Sequence, residues 1–332
     1  MSGNRIYWVI ALVFIIILGV GGFLIWVFLR KPISPPLDIS TPTPTIVPTE
    51  YIQPTAVVVP TLPVVETCGH SGVMTFLILA RDISEGEPPY GADMIRFVRV
   101  DFSQRTVHMI AVPRDLWVGT PHLEALDIEN SRLGPVFYYV EQATLGTWNQ
   151  KAVAGTSALA QALYDNFQVT ADHYIFFEMR YFADALNLLG GVDVIIPSDL
   201  VAGGYTFKAG LQHLDGEMAL MYARLLPGNE LSDGWERLER QNIILGAVWD
   251  KMLDPANIVL VPDLIEQFND NIVTDLSPLL IADLACMLDK VPRDQLALYQ
   301  VDASMITGPG PDDSMLPDVE KVRQFLQLQL AP

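Results

Sequence analysis

Ile6 to Leu29, IYWVIALVFIIILGVGGFLIWVFL, is an uncharged apolar run of about 24 residues, long enough as a helix to cross the hydrocarbon of a bilayer with some tilt. Whatever follows must then fold on one side of a membrane. Tyr7, Trp8 and Trp26 lie near the ends of the run, where amphipathic rings favour the headgroup level. No small-residue cleavage pattern follows, so the run is expected to remain as an anchor rather than be removed as a signal peptide. Flanking charge does not orient it: Arg5 stands on one side, Arg30 and Lys31 on the other.

From Pro32 to Thr67 the chain is rich in Pro and Thr and nearly uncharged. Such a stretch cannot bury a core and prefers extended conformations, which makes it a semi-rigid tether suited to an external location. The expected organisation is therefore a short N-terminal segment and membrane helix over 1–31, an extracellular linker over 32–67 and one domain over 68–332. Half of all residues are apolar, enough for a sizeable core. The formal net charge of -19, with only 20 Lys and Arg, excludes a nucleic-acid partner, because phosphate backbones are bound by basic surfaces. Cys68 and Cys286, neither in a CxxC, exclude a cysteine zinc site of the usual spacing. They either form one disulfide, if the domain lies outside the cytoplasm, or are two separate buried thiols.

Within the domain, Met74 to Ala80 reads as a buried strand followed by Arg81 and Asp82, and MIRFVRV and TVHMIAV read as two further strands. A loop with Gly86, Pro88, Pro89 and Gly91 leads to Asp93, and the third strand ends in Pro113-Arg114-Asp115. Carboxylates and an arginine thus gather at strand ends, where sheet proteins place their chemistry. Asp82 and Asp93, flanking one loop, suit a shared Mg2+, which takes one or two carboxylates and completes its shell with water and phosphate. Further on, Asp215-Gly216 caps the helix EMALMYAR, Pro227-Gly228 stops it, and a second helix follows. Arg224 ends the first helix, while Arg237, Arg240 and Gln241 share one face of the second at i, i+3 and i+4. Four donors are expected to converge on an anion, unless Glu217, Glu236 and Glu239 merely pair with the arginines on a solvated face.

These residues carry a resemblance. ILARD, Asp93, VHMIAVPRDLWV and LDGEMALMYAR followed by RLERQ, in this order behind one N-terminal anchor, resemble the LytR-CpsA-Psr family of cell-wall glycopolymer transferases. The resemblance covers roughly Cys68 to Leu253. It implies an extracellular α/β domain with a single mixed sheet and flanking helices. It also implies a polyprenyl-pyrophosphate-linked glycan as substrate, with its tail in an apolar tunnel, and peptidoglycan as acceptor. By the same resemblance Asp82 and Asp93 are the Mg2+-associated positions. Arg114, Asp115 and Asp93 are catalytic, with Asp115 either orienting Arg114 or acting as base. Arg224, Arg237, Arg240 and Gln241 form the pyrophosphate clamp. Three positions depart from the family pattern: Ala80-Arg81 before the first Asp, Leu226 in place of a second clamp arginine, and the spacing of Asp233 from Arg237. Arg81 is a candidate to replace the missing charge.

Ser157 to Phe167 and Tyr181 to Leu189 read as amphipathic helices, either lining that tunnel or forming ordinary core. The tail after Pro255 adds helices PDLIEQF and PLLIADLACMLDKV, a strand near Leu296 to Val301 and a last helix VEKVRQFLQLQL, all assigned to the same domain. No G-x-S-x-G, Walker A or H-E-x-x-H motif occurs. Three functions remain: a membrane-anchored phosphotransferase, a tethered module that binds lipid-linked glycan without turnover, and a pyrophosphatase acting on the same lipid.

Overall fold

The computed structural model describes residues 29–40, 66–83, 91–228, 231–258, 260 and 271–331. The apolar run Ile6 to Leu29, all but its last residue, and the expected helix PDLIEQF lie outside the described residues. Among the described residues no helix is long and apolar enough to cross a membrane.

The frame is one six-stranded mixed sheet. Its strands are β1 (Val73–Arg81), β2 (Met94–Asp101), β3 (Thr106–Val112), β6 (His173–Glu178), β11 (Ile272–Thr274) and β12 (Leu296–Gln300), in the order β11-β6-β1-β2-β3-β12. β1 runs antiparallel to β2 and parallel to β6; β3 is antiparallel to β2 and parallel to β12. Both faces are covered, which explains why β1 and β2 read as nearly unbroken apolar runs.

Side chains alternate between two layers, as the strand period of two demands. Leu77, Leu79, Ile95, Phe97, Tyr174 and Phe176 pack against α1 (Leu133–Ala143), α2 (Trp148–Phe167) and α8 (Val319–Leu330). Phe76, Val98, Val100 and Val107 face the other way, toward α5 (Leu231–Met252) and α7 (Pro278–Lys290). α2 begins nine residues before the expected start, because Thr147 and Gln150 close a capping box there. α3 (Met179–Leu188), α4 (Gly216–Arg224) and the hairpin-like pair β7 (Val192–Ile196) and β10 (Gly210–Leu214) build a second apolar cluster beside the sheet. The small pairs β4 (Trp117–Gly119) with β5 (Asn130–Arg132), β8 (Leu200–Ala202) with β9 (Tyr205–Phe207), and β13 (Ile306–Pro309) with β14 (Met315–Pro317) complete the strands, and α6 (Pro255–Ile258) follows α5. The tail belongs to the same body, since β12 extends the main sheet and Val322 and Leu326 are fully buried in its core.

Two covalent and chain-level ties reach across this body. Cys68 and Cys286 are disulfide-bonded, with Cα atoms 5.8 Å apart, and pin the entry to β1 onto α7. The stretch read as a spacer is, over Ile33 to Ser40, laid along the domain instead. Ile33 N donates to Leu276 O at 3.1 Å, Tyr174 Oη to Pro35 O at 3.0 Å and Ser40 N to Gln161 Oε1 at 2.7 Å. Leu37 and Ile39 pack on the core beneath α2. This strap meets the chain just beyond β11, the edge strand of the sheet.

α4 is seated by a close backbone approach. A Cβ at Gly216 would stand 1.9 Å from Ala183 O on α3. Gly216→Ala should therefore destabilise the domain by about 1–3 kcal/mol through overpacking, read as a lower midpoint in denaturant unfolding; an unchanged midpoint would show that α3 and α4 yield freely.

Candidate active site

The site is assembled where β1, β2 and β3 end. Asp82 follows β1, Asp93 precedes β2 and Arg114-Asp115 follow β3, so neighbouring strands bring three carboxylates and a guanidinium to one end of the sheet. Backbone bonds fix the group: Asp93 N donates to Ala80 O at 2.8 Å, Ala92 N to Gly134 O at 3.1 Å, and Gly134 N to Arg114 O at 2.8 Å. Gly91 permits this approach. It has φ +114°, and a Cβ there would lie 2.1 Å from Gly134 O, a placement only glycine tolerates.

The charges interlock. Asp82 N donates to Asp93 Oδ2 at 2.8 Å, Arg114 Nη1 pairs with Asp93 Oδ1, and Arg224 Nη2 pairs with Asp82 Oδ2. Arg237 Nη2 donates to Asp115 Oδ2 at 3.3 Å, while Arg114 Nε and Arg132 Nη1 each lie 3.6 Å from an Asp115 oxygen. Four guanidiniums therefore face three carboxylates. Arg237 is buried, and burial, followed by the neighbouring Arg114 charge, pushes its pKa below the usual arginine range.

An apolar path leads away from this cluster. Arg96, Arg224 and Gln241 line a cavity of about 170 Å³ that is otherwise bounded by apolar groups such as Ala80, Met94, Phe182 and Leu220. Val98 and Met109 line both this cavity and a second of about 380 Å³ between the sheet and α7, whose lining among the described residues is apolar apart from Thr274. Ile33 of the strap lines the second cavity and is 48% exposed, so it stands at the opening.

A model described as the LytR_cpsA_psr family matches residues 59–323. The chain belongs to that family. A Bacillus subtilis protein named polyisoprenyl-teichoic acid–peptidoglycan teichoic acid transferase TagV is 27% identical over 252 residues, covering 72% of this chain and 60% of TagV. An Enterococcus faecalis TagU, whose name is otherwise the same, is 28% identical over 153 residues, 45% of this chain and half of the relative. The chain thus spans half to three-fifths of the length of these relatives. The B. subtilis TagV crystal structure superposes with a TM-score of 0.59 at 22% identity, over 79% of this chain and 98% of that one. A LytR-Csp2A-Psr enzyme from Actinomyces oris gives 0.56 at 22% identity, over 80% and 96%. The mixed α/β fold is shared with both.

Against this LytR_cpsA_psr fold, the residues singled out in the sequence divide into two groups. Asp82, Asp93, Arg114, Asp115, Arg224 and Arg237 form one connected set, joined by ion pairs and, between Asp82 and Asp93, by one hydrogen bond from a backbone N–H. Arg240 is held in another way. Its Nε donates to Tyr222 O at 3.1 Å and its Nη2 to Leu225 O, so it satisfies carbonyls left open at the end of α4, and Glu236 Oε2 lies 3.5 Å from its Nη1. Gln241 is buried and turns its Oε1 to Arg96. The side chain of Asp233 lies outside the described residues. Arg81 does not replace the charge absent at Leu226. It faces the opposite layer, 2.6 Å from Glu141 and 3.2 Å from Glu178, because it is one residue out of phase with Asp82. The carboxylates threaded among the arginines of the set are Asp82, Asp93 and Asp115.

Two participants were missed. Arg132 sits in a segment that carries no assignable motif, and it reaches Asp115 only through the pairing of β5 with β4. Arg96 did leave a signal: it is an arginine inside a buried strand of a chain poor in cations.

Arg81→Met should destabilise the domain by about 3–5 kcal/mol, because it strands the buried Glu141 carboxylate. Denaturant unfolding at neutral pH measures this, and ligand binding by the variant that remains folded should be unchanged; a neutral effect on stability would show that water reaches Glu141.

Proposed function

We propose that the domain is a membrane-anchored phosphotransferase that moves a glycopolymer from a polyprenyl-pyrophosphate carrier to a sugar hydroxyl of peptidoglycan. The observation that carries this reading is the double role of Arg224, which pairs with Asp82 in the charged cluster and also lines the apolar cavity behind it. A ligand that satisfies both surroundings has an anionic head and a hydrocarbon tail. The names of the relatives, which pair a polyisoprenyl carrier with a peptidoglycan acceptor, point the same way.

In the cluster as it stands, the arginines are held by carboxylates. An arriving diphosphate offers guanidiniums stronger, bidentate partners and draws Arg114, Arg224 and Arg237 toward its oxygens. Asp82 and Asp93 are then released together, with Asp93 Oδ2 accepting from the Asp82 backbone N–H at 2.8 Å, and two carboxylates flanking one loop beside phosphate oxygens are a donor set suited to Mg2+. Bound there, Mg2+ would supply neutralising charge for the diphosphate. Asp115, with its oxygens shared among Arg114, Arg132 and Arg237, suits the orienting role. Because phosphoryl transfer depends on positioning and charge stabilisation more than on covalent help from the protein, a site built from oriented guanidiniums is well matched to it.

The same reading places the domain outside the cell and against its membrane. The disulfide favours an oxidising compartment. Ile33 stands only four residues beyond the apolar run, a reach of at most about 14 Å, so the opening of the larger cavity lies close to the bilayer from which a lipid tail would come.

Full-length protein given a polyprenyl-pyrophosphate-linked glycan, Mg2+ and peptidoglycan should transfer the glycan. Arg114→Ala and Arg237→Ala should each lower the rate by about 10²–10³-fold while the thermal midpoint shows a folded domain. Full activity in both variants refutes the site. Stoichiometric binding without turnover would instead identify a tethered binding module, and phosphate release without acceptor a pyrophosphatase.

A further inference from the structure

Arg96 is a cation that folding has stripped of water without supplying a counter-charge. It lies on β2, 1% exposed, on the face turned toward α5. Its Nη1 donates to Asn242 Oδ1 at 2.7 Å and its Nη2 to Gln241 Oε1 at 3.4 Å, and its Nε has no acceptor. Among the described residues no carboxylate pairs with it. Burial alone lowers its pKa to about 9, with no neighbouring carboxylate to oppose the shift. Arg99, three residues on and facing the other layer, shows the contrast: it is held by Asp101 Oδ2 at 3.1 Å and Ala331 O at 2.8 Å. Amide oxygens solvate a guanidinium but do not neutralise it, and a buried charge left in that condition is strongly destabilising.

Arg96 lines the same cavity as Arg224. We infer that Arg96 is a phosphate-binding residue that grips the phosphate joined to the isoprenoid, the one that departs as isoprenyl monophosphate; this rests on the transferase reading. The strand register sets its depth. Arg96 pairs with Ile78 and Met94 with Ala80, so Arg96 stands two residues, about 7 Å, further from the Asp82–Asp93 end than Met94 does. Along the path the charged cluster comes first, then Arg96, then the larger apolar cavity. A diphosphate whose tail occupies that cavity carries its tail-bearing phosphate on the inner side. During transfer the acceptor oxygen forms a bond to the outer phosphorus and its proton is lost to base. The bond from that phosphorus to the bridging oxygen breaks. The bridging oxygen stays with the isoprenyl phosphate, which thereby gains one negative charge. Arg96 is placed to neutralise that gain, and with Gln241 Oε1 turned to Arg96, the Gln241 amide N–H donors are left for the same phosphate.

The test is calorimetric titration of the full-length protein in detergent with farnesyl diphosphate and, separately, with inorganic pyrophosphate. Arg96→Met should weaken farnesyl diphosphate binding by about tenfold or more, the worth of a charge-assisted hydrogen bond, and Arg96→Lys by less. Without ligand, Arg96→Met should melt at or above the wild-type temperature, since it exchanges a buried charge for the side chain already present at Met94 and Met109. If the Met variant does not fold, Arg96→Gln carries the same comparison. Unchanged farnesyl diphosphate affinity on removing the guanidinium overturns the inference, as does inorganic pyrophosphate binding as tightly as farnesyl diphosphate with the same dependence on Arg96. Arg96-dependent binding by a wild-type protein that transfers no glycan would leave the phosphate site standing and remove the transferase reading.

Discussion

The alternation of side chains along β1 and β2 decides which charges reach the cavity and which are sealed behind it. Arg81 and Asp82 are neighbours in the chain, yet one is locked to Glu141 and Glu178 under the α1 layer while the other meets Arg224 at the head of the apolar path. Arg96 and Arg99 repeat the division three residues apart. A slip of one residue in the β1–β2 register would exchange both pairs, putting Arg81 into the cavity and Asp82 into the core. The register is held because both faces are mostly apolar and packed, so the packing of Leu77, Leu79 and Phe97 on one side and Phe76 and Val98 on the other fixes the charges as well. Core packing and site geometry are, for these strands, one constraint.

The charged cluster is close to neutral before any ligand arrives. Each of the four arginines has a carboxylate beside it; Asp82 pairs with Arg224, Asp93 with Arg114 and the Asp82 backbone N–H, and Asp115 with Arg237, Arg114 and Arg132. This keeps side chains that are only partly exposed from bearing unpaired charge, and it holds Arg114 and Arg237 near the orientation that a phosphate would require. Specificity then follows from exchange. A ligand that offers phosphate alone must replace the carboxylates without filling the cavity, and one that offers hydrocarbon alone leaves the ion pairs undisturbed. Only a molecule with both parts gains on both sides of Arg224.

Much of the frame was legible from sequence because its signals are local. The strands from Val73 to Val112 announce themselves as apolar runs, Asp215 caps α4 with its side chain on Met218 N, and the final helix begins at Asp318 in the same way. What escaped was non-local. Arg240 carries the spacing of a clamp residue, and that spacing does not report its bonds to the carbonyls of Tyr222 and Leu225, which depend on how α4 ends against α5. Arg132 enters through a three-residue strand pairing that no periodicity reveals. The strap from Ile33 to Ser40 has the composition of a tether, and composition does not report that Tyr174, wholly buried, needs an acceptor for its hydroxyl and finds it at Pro35.

That last contact ties the two ends of the proposed path together. Tyr174 lies on β6 facing the α2 layer, and the next residue, Ile175, faces the larger cavity. The strap therefore grips the sheet at the strand that walls the path, and Ile33 meets Leu276 immediately beyond β11, at the opening. In the proposed setting the anchor fixes where the opening sits relative to the bilayer, and the rigid sheet fixes how far beyond it the cluster stands. The depth at which a lipid head is presented is then set by strand length and register.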